Sequence, residues 1–451
     1  MFLQQVKYRL LNSSGRSKEA MKNIVLSLVG KTVSVLSSLL IVPLTIDYVN
    51  PTQYGIWLTL SSIIGWITFF DLGLGNGFRN KFAEARAKGD DGLARQYLST
   101  TYFAVTSIIG IVFIAVLIGN KYIDWPSFLN ISGIYQEELG SVFLILASFF
   151  CLNMVVSIVG MMLTADQKVG LSSLLFGIGQ LASLISIFIL TRVSQGSLMN
   201  LALYFAGIPC LVWVVATFVI FFFTRYKTLR PTYANVKLSL VSDIIGLGIQ
   251  FFVIYLCLIA IFQMSNVILS RELGPDAVTE YNIAYKYFNI LNSVVIIILT
   301  PYWSAFTDAY QKQDYAWMRS TKKNLERLWL LSVMAGVVML LFSQLFYKFW
   351  VGQDVQVSWS LSISVAVYFM LFNIGNVYMY MINGIGTIRL QLYIYVGFAM
   401  VAWPLMVWAS NMWGAAGVVI LPSTALLVQA LFGKVQLEKL LARRAFGIWR
   451  K

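Results

Sequence analysis

About twelve long apolar stretches, parted by short polar connections, run from Asn23 to the C-terminus. A helix crossing about 30 Å of hydrocarbon needs roughly 20 residues. The pattern predicts spans at 23–48, 53–79, 94–119, 139–165, 169–191 and 198–223. A second set follows at 242–270, 277–303, 324–349, 358–384, 390–411 and 415–437. The only extended polar break near the middle is Thr224 to Leu240, with Arg225, Lys227, Arg230, Pro231 and Lys237. The expected fold class is an all-α membrane protein of about twelve transmembrane helices, in two parallel six-helix bundles around a central cavity. Its parts are an N-terminal lobe 1–223, a cytoplasmic linker 224–240, and a C-terminal lobe 241–451 with a basic tail that ends Arg443, Arg444, Trp449, Arg450, Lys451.

Positive charge is sorted along this pattern. Of the 33 Lys and Arg, about 27 fall in alternate connections or at the span ends that border them. Lys121, Arg192, Arg271 and Lys348 fall in the other set, while Lys31 and Lys286 lie inside apolar stretches. Lys/Arg-rich connections stay cytoplasmic, so both termini and the 224–240 connection are expected inside. Composition agrees: 59% of the 451 residues are hydrophobic and only 12% charged, more apolar surface than a soluble chain can keep from water. The net charge of +14 is spread over short connections without a continuous patch, which excludes a nucleic-acid partner and suits anionic membrane lipids. Cys151, Cys210 and Cys257 all fall in apolar stretches, so no disulfide framework is expected. The first apolar run is too long for a signal-peptide core and lacks a small-residue cleavage site, and it reads as the first span.

The two halves carry a weak parallel repeat. Asn50-Pro51 and then Tyr54-Gly55-Ile56 open span two; Gly274-Pro275 and then Tyr281-Asn282-Ile283 open span eight. Asp90 precedes Arg95 by the same spacing as Asp314 precedes Arg319. Six spans per half is an even number, so the repeat is parallel and not inverted.

Polar side chains inside the spans form stripes at helical spacing. Span one has Ser27, Lys31, Ser34 and Ser38; span eight has Asn282, Lys286, Asn289 and Ser293. Others are Asn153, Ser157 and Thr164 in span four, Gln263, Asn266 and Ser270 in span seven, and Asn373, Asn376, Tyr380 and Asn383 in span ten. Such stripes line a wet lumen or bond neighbouring helices. For Lys31 and Lys286 the alternatives are the lumen and snorkelling to an interface, because a charge at mid-depth costs about 2.5–3.5 kcal/mol on insertion scales. Asp71, Gly75 and Arg79 share one face of span two. Asp71 reads either as half of an Asp71–Arg79 charge pair or as a proton or cation site.

Soluble chemistry is missing. Gly73, Gly75 and Gly77 end a membrane span and follow no strand, so they do not make a phosphate loop. There is no Walker A sequence, and without His no Ser/His/Asp arrangement and no common metal ligand. No catalytic residue, metal or cofactor is expected, and the chain is not expected to be an enzyme.

The segment Phe70-Asp71-Leu72-Gly73-Leu74-Gly75-Asn76-Gly77-Phe78-Arg79-Asn80-Lys81, continuing to Ala83-Glu84-Ala85 and Lys88-Gly89-Asp90, resembles bacterial polysaccharide-biosynthesis membrane proteins. So does the stretch from Pro43 to Trp57. These are the Wzx-type O-antigen and capsule oligosaccharide flippases of the multidrug/oligosaccharidyl-lipid/polysaccharide exporter superfamily. The resemblance implies transfer of an undecaprenyl-diphosphate-linked oligosaccharide across the bacterial inner membrane, by alternating access coupled to an ion gradient. It implies membrane lipids, a polysaccharide polymerase and chain-length machinery as partners. For that cargo Lys31, Lys286 and Arg79 are the expected diphosphate contacts, and Asn289, Asn376 and Asn383 the sugar contacts. Asp71 is the expected ion-coupling residue. A cation-coupled multidrug exporter of the same superfamily is the competing reading, but it favours buried carboxylates where this chain has Lys31 and Lys286. A lipid II flippase often has further spans, and a polymerase needs a larger outside loop than Lys121 to Glu138.

Overall fold

The computed structural model describes residues 15–67, 74–129, 131, 136–245, 256–387 and 389–450. Every regular element among them is helical. In chain order the α-helices are α1 (Gly15–Val49), α2 (Pro51–Gly65), α3 (Leu74–Ala87), α4 (Asp91–Asn120), α5 (Trp125–Leu129), α6 (Gln136–Val156), α7 (Ile158–Ala165), α8 (Val169–Val193) and α9 (Leu198–Phe223). Then come α10 (Ser239–Ile245), α11 (Ser265–Leu273), α12 (Pro275–Gln311), α13 (Tyr315–Leu341), α14 (Ser343–Val351), α15 (Trp359–Ile385), α16 (Arg389–Trp413) and α17 (Ile420–Leu441).

Among the described residues nine helical stretches are long and apolar enough to cross a membrane. A tenth is a bent pair, Leu256–Gln263 and Ser265–Leu273, angled by 42° at Met264. One of the nine, Arg389–Leu441, is two spans, because the chain reverses at Gly414–Val419. The reversal is visible in contacts that converge on it: Gly417 lies against the Ala409 carbonyl, and the Tyr395 hydroxyl donates to Gln429 Oε1 at 2.8 Å. The chain is a multi-pass helical membrane protein.

Helices outrun the expected spans at their charged ends. α12 has 37 residues, about 55 Å at 1.5 Å per residue, and continues past the apolar run to Gln311. α1 starts at Gly15 and α13 at Tyr315, because polar residues keep the backbone ladder going outside the hydrocarbon. Span nine is divided at Phe342 into α13 and α14. The residues expected as span two fall in α2 and α3, on either side of residues 68–73, and Asp71 lies outside the described residues.

The chain gathers into two compact units. Unit 1 comprises Met1–Asn50, Ile63–Pro126 and Ser132–Val253. Its tightest pairing is α1 against α8. Small residues let the two backbones approach, the usual basis of close packing in membranes. A Cβ on Gly30 would meet the Ser173 carbonyl at 2.4 Å, and one on Gly177 the Gly30 carbonyl at 2.7 Å. Polar contacts close both ends: Asn23 Nδ2 donates to the Gln167 carbonyl at 2.9 Å, and the Tyr48 hydroxyl bonds Ser194 Oγ at 2.8 Å. The sequence offset between partners is nearly constant along the contact, 147 at Asn23–Gly170 and 146 at Tyr48–Ser194. The two helices are therefore parallel, as spans one and five must be.

Unit 1 also holds the Thr224 to Leu240 connection, which docks on α4. Arg95 Nε donates to the Arg230 carbonyl at 2.9 Å, the Thr232 amide to Ser99 Oγ at 3.2 Å, and the Lys237 amide to Thr100 Oγ1 at 3.0 Å. Tyr226 and Leu229 bury their side chains. These bonds satisfy the connection's own polar backbone.

Unit 2 comprises Pro51–Ser62, Ser127–Ile131 and Ile254–Lys451. Its core is built by α12, α13, α15 and α17, with Leu299, Phe306, Met318, Val377, Met381 and Leu437 fully buried. The Trp329 indole donates to the Met370 carbonyl at 2.8 Å and ties α13 to α15.

Candidate functional site

The polar stripe of α12 meets the first turns of α2 within unit 2. Asn50 has a left-handed φ of 86° and turns the chain, and Pro51 then opens α2. Proline suits a first helical turn because its missing N–H has no partner there anyway. Thr52 Oγ1 donates to Asp276 Oδ1 at 2.6 Å, and Thr279 Oγ1 to the Pro51 carbonyl at 2.7 Å. Gly55 faces Pro275, where a Cβ would lie 1.9 Å from the carbonyl oxygen. A side chain at position 55 would push α2 off α12.

This clamp delivers Tyr54, only 2% exposed, to half-buried Lys286. The Lys286 ammonium donates to the Tyr54 hydroxyl at 3.0 Å. It stands 5.8 Å from the ring centroid, and the two distances together place it outward of the hydroxyl. The contact is a hydrogen bond and not a cation held over the ring face. One turn earlier, buried Asn282 donates to Asn266 Oδ1 at 2.8 Å and to the Val278 carbonyl. Further along, Asn289 accepts from Asn292 Nδ2 at 3.1 Å. Aromatic rings flank the stripe: Tyr285 lies 5.6 Å from Tyr281, 6.1 Å from Tyr368 and 4.9 Å from Phe369. The stripe thus combines a half-buried cation with amides, and the flanking rings of Tyr281, Tyr368 and Phe369 are buried in the packing around it.

On α15 some asparagine side-chain atoms have no partner among the described residues. Asn373 is wholly buried, and neither its amide nitrogen nor its oxygen has a hydrogen-bond partner among the described residues. The same holds for Asn376 Nδ2 and Asn383 Oδ1. Each such atom costs about 1–3 kcal/mol, so four of them, on three residues of one helix face, are expensive to keep. Tyr378 has its own partner, donating to Glu326 Oε1 at 2.9 Å, and Lys322 bridges Glu326 and Glu438 at 3.5 and 2.7 Å.

Of the expected contact residues, Lys286, Asn289, Asn376 and Asn383 thus stand on two packed helices of unit 2. Lys31 and Arg79 belong to unit 1, where both side chains are exposed, on α1 and α3 respectively. Asp71 is outside the described residues.

One cluster in unit 1 was not foreseen. Asp166, at the end of α7, accepts from Arg86 Nε at 3.0 Å, from Arg225 Nη2 at 2.8 Å and from the Tyr226 hydroxyl at 2.7 Å. Arg86 also bonds Asp91. Burial opposes the charge of Arg86, yet the carboxylates of Asp166 and Asp91 raise its pKa on balance. Burial raises the Tyr226 phenol as well. The cluster joins α3, α4, α7 and the turn after α9. Its only trace in sequence is a lone Asp in a connection otherwise marked by Lys168.

Comparison with known proteins places this arrangement. Residues 20–306 match the family described as polysaccharide biosynthesis protein. The chain is 20% identical over 286 residues to a Yersinia pseudotuberculosis protein named "Putative O-antigen export protein", covering 62% of this chain and 64% of that one. It is 20% identical over 275 residues to a Salmonella typhimurium protein named "Putative O-antigen transporter", covering 60% and 61%. The chain thus spans less than two thirds of the length of these relatives. Its fold is similar to an inward-facing multidrug resistance MATE family transporter of the MOP superfamily, with a TM-score of 0.76 at 15% identity, covering 94% of this chain and 100% of that one. It is also similar to a MOP superfamily transporter from Pyrococcus furiosus described as having a binding pocket of reverse polarity, with a TM-score of 0.64 at 15% identity, covering 96% and 98%. With residues 20–306, more than half its length, matching the family, the chain belongs to the polysaccharide biosynthesis protein family of membrane proteins.

Proposed function

We propose that the chain is a transporter, not an enzyme, that moves undecaprenyl-diphosphate-linked oligosaccharide across the bacterial inner membrane. Both termini lie in the cytoplasm. The site opens alternately to the two sides, in a cycle coupled to an ion gradient through Asp71. The family and the names of the O-antigen relatives support this class of cargo. The observation that carries the chemistry is the Lys286–Tyr54 pair: a half-buried cation held by a neutral phenol keeps its positive charge available to an anion. Lys31 and Arg79 supply further positive charge. Asn289, Asn376 and Asn383 offer amide donors and acceptors to sugar hydroxyls, and the unpaired atoms of Asn376 and Asn383 support that role. Polymerase and chain-length machinery act on the delivered unit.

The test is complementation. In a strain that lacks its own O-antigen flippase and makes the matching repeat unit, the chain should restore surface glycan, with no gain in resistance to cationic drugs. Drug resistance without restored glycan would favour the multidrug reading and overturn this one.

A further inference from the structure

At one end of unit 2 the chain builds a cationic cavity that the transport reading does not use. Its volume is about 250 Å³, and its lining includes Tyr310, Gln313, Tyr315, Arg443 and Arg450. Two helix ends and the C-terminal turn make it. α12 and α17 each stop with a left-handed residue, Gln313 and Arg443, both at φ 58°. Such a residue ends a helix by folding its backbone N–H back onto the last carbonyls. Here the Gln313 amide returns to the Tyr310 carbonyl at 3.1 Å and the Arg443 amide to the Leu440 carbonyl at 3.1 Å.

The basic tail is not loose. The Trp449 ring stacks on Phe432 at 6.2 Å, and the Lys439 ammonium stands 3.7 Å from the Trp449 centroid. Buried Gln436 donates from Nε2 to the Trp449 carbonyl at 3.3 Å and to the Thr387 carbonyl at 3.1 Å. These contacts hold Arg450 beside the cavity. Arg443 is fixed on the other side, 4.5 Å from the Tyr315 ring centroid and donating to Gln313 Oε1 at 2.9 Å.

No carboxylate lines the cavity among the described residues. Two carboxylates near in sequence are occupied: Asp314 caps α13 by accepting from the Trp317 amide at 3.0 Å, and Glu438 is bonded by Lys322. Carbonyls at the two helix ends carry partial negative charge, which an anion would avoid. Arg319 takes one of them, donating to the Leu441 carbonyl at 2.9 Å. The Arg450 guanidinium donates to no side chain or carbonyl among the described residues. Two guanidinium forks with two phenols around a space of this size match the oxygens of a phosphate group.

We propose that this cavity binds a phosphate-bearing anion, either the headgroup of a membrane lipid or a soluble phosphate. The proposal holds whatever cargo the chain moves. The test uses the purified full chain in neutral detergent and reads its unfolding midpoint. Inorganic pyrophosphate and short-chain phosphatidic acid are titrated separately, with short-chain phosphatidylcholine as the control. The midpoint should rise saturably with at least one of the two anionic probes. Arg450→Gln should leave the unliganded midpoint unchanged and weaken the response about tenfold, the order expected for one charge-assisted contact. Arg443→Lys, which keeps the charge and loses the fork, should also weaken it. A response to phosphatidic acid alone assigns a lipid, and a response to pyrophosphate alone a soluble anion. No response to either probe, or an Arg450→Gln response equal to the parent's, overturns the proposal and leaves the two arginines as helix-end charges.

Discussion

Lys286 donates its ammonium to the hydroxyl of Tyr54, a residue 232 positions earlier in the chain. A hydrogen bond from a charged group contributes about 1.5–3 kcal/mol. Tyr54→Phe should therefore lower surface glycan by roughly tenfold or more while leaving membrane insertion intact. Lys286→Ala should lower it further, and Lys286→Arg should retain more than Lys286→Ala because it keeps the charge. Glycan immunoblots normalised to protein level check the series. Parental export by Lys286→Ala would remove the lysine from the site.

Gly55 and Gly65 stand on the same helix and should answer oppositely to alanine. At Gly55 a Cβ would sit 1.9 Å from the Pro275 backbone, so α2 must shift, at a cost of about 1–3 kcal/mol. At Gly65 a Cβ would meet nothing within 4 Å among the described residues, and alanine should be neutral or gain up to about 1 kcal/mol of helix propensity. Thermal unfolding of the two variants side by side gives the comparison.

Asn373 is buried with neither amide atom partnered among the described residues, so Asn373→Leu should raise the unfolding midpoint. Asn376→Ala and Asn383→Ala should lower glycan export without lowering protein level. Unchanged export in both would mean that the α15 stripe does not touch cargo.

Asp166→Asn leaves Arg86 and Arg225 facing each other with Asp91, bonded to Arg86, as the one counter-charge left in the cluster. Arg86 is largely covered, with 25% of its side chain exposed, whereas Arg225 is 59% exposed and solvent screens it. Asp166→Asn should therefore destabilise unit 1 far more than Arg225→Gln does. Protein level and unfolding midpoint should rank the parent and Arg225→Gln together, with Asp166→Asn well below.

Much of the fold was legible because membrane helices are long, apolar and locally determined. The repeat read from Asn50-Pro51 and Gly274-Pro275 has matching geometry: φ is 86° at Asn50 and 90° at Gly274, each before the proline that opens a helix. Asp90 and Asp314, paired by spacing alone, both cap helices, accepting from the amides of Leu93 and Trp317. These are short-range devices, and short-range devices leave short-range signatures. Contacts across long separations left none. Asp166 meets Arg86 and Arg225 at separations of 80 and 59 residues, and no periodicity announces that. The tail reads as a basic segment, but nothing in it shows that Trp449 is held by Phe432, Gln436 and Lys439 on α17. The Asn stripe of α15 was visible as a stripe, but pairing, which separates Asn282 from Asn373, depends on what each helix packs against.

The parallel pairing of α1 with α8 dictates an order of assembly. The ribosome completes Gly30 147 residues before it reaches Gly177, its packing partner. At 5–20 residues per second that is a wait of roughly 7–30 s. Through that interval the first helix, with Lys31 and its serines, must be held in or beside the insertion machinery without the neighbour it is shaped to fit. Unit 1 cannot close by zipping hairpins in sequence; it closes when the fifth span arrives.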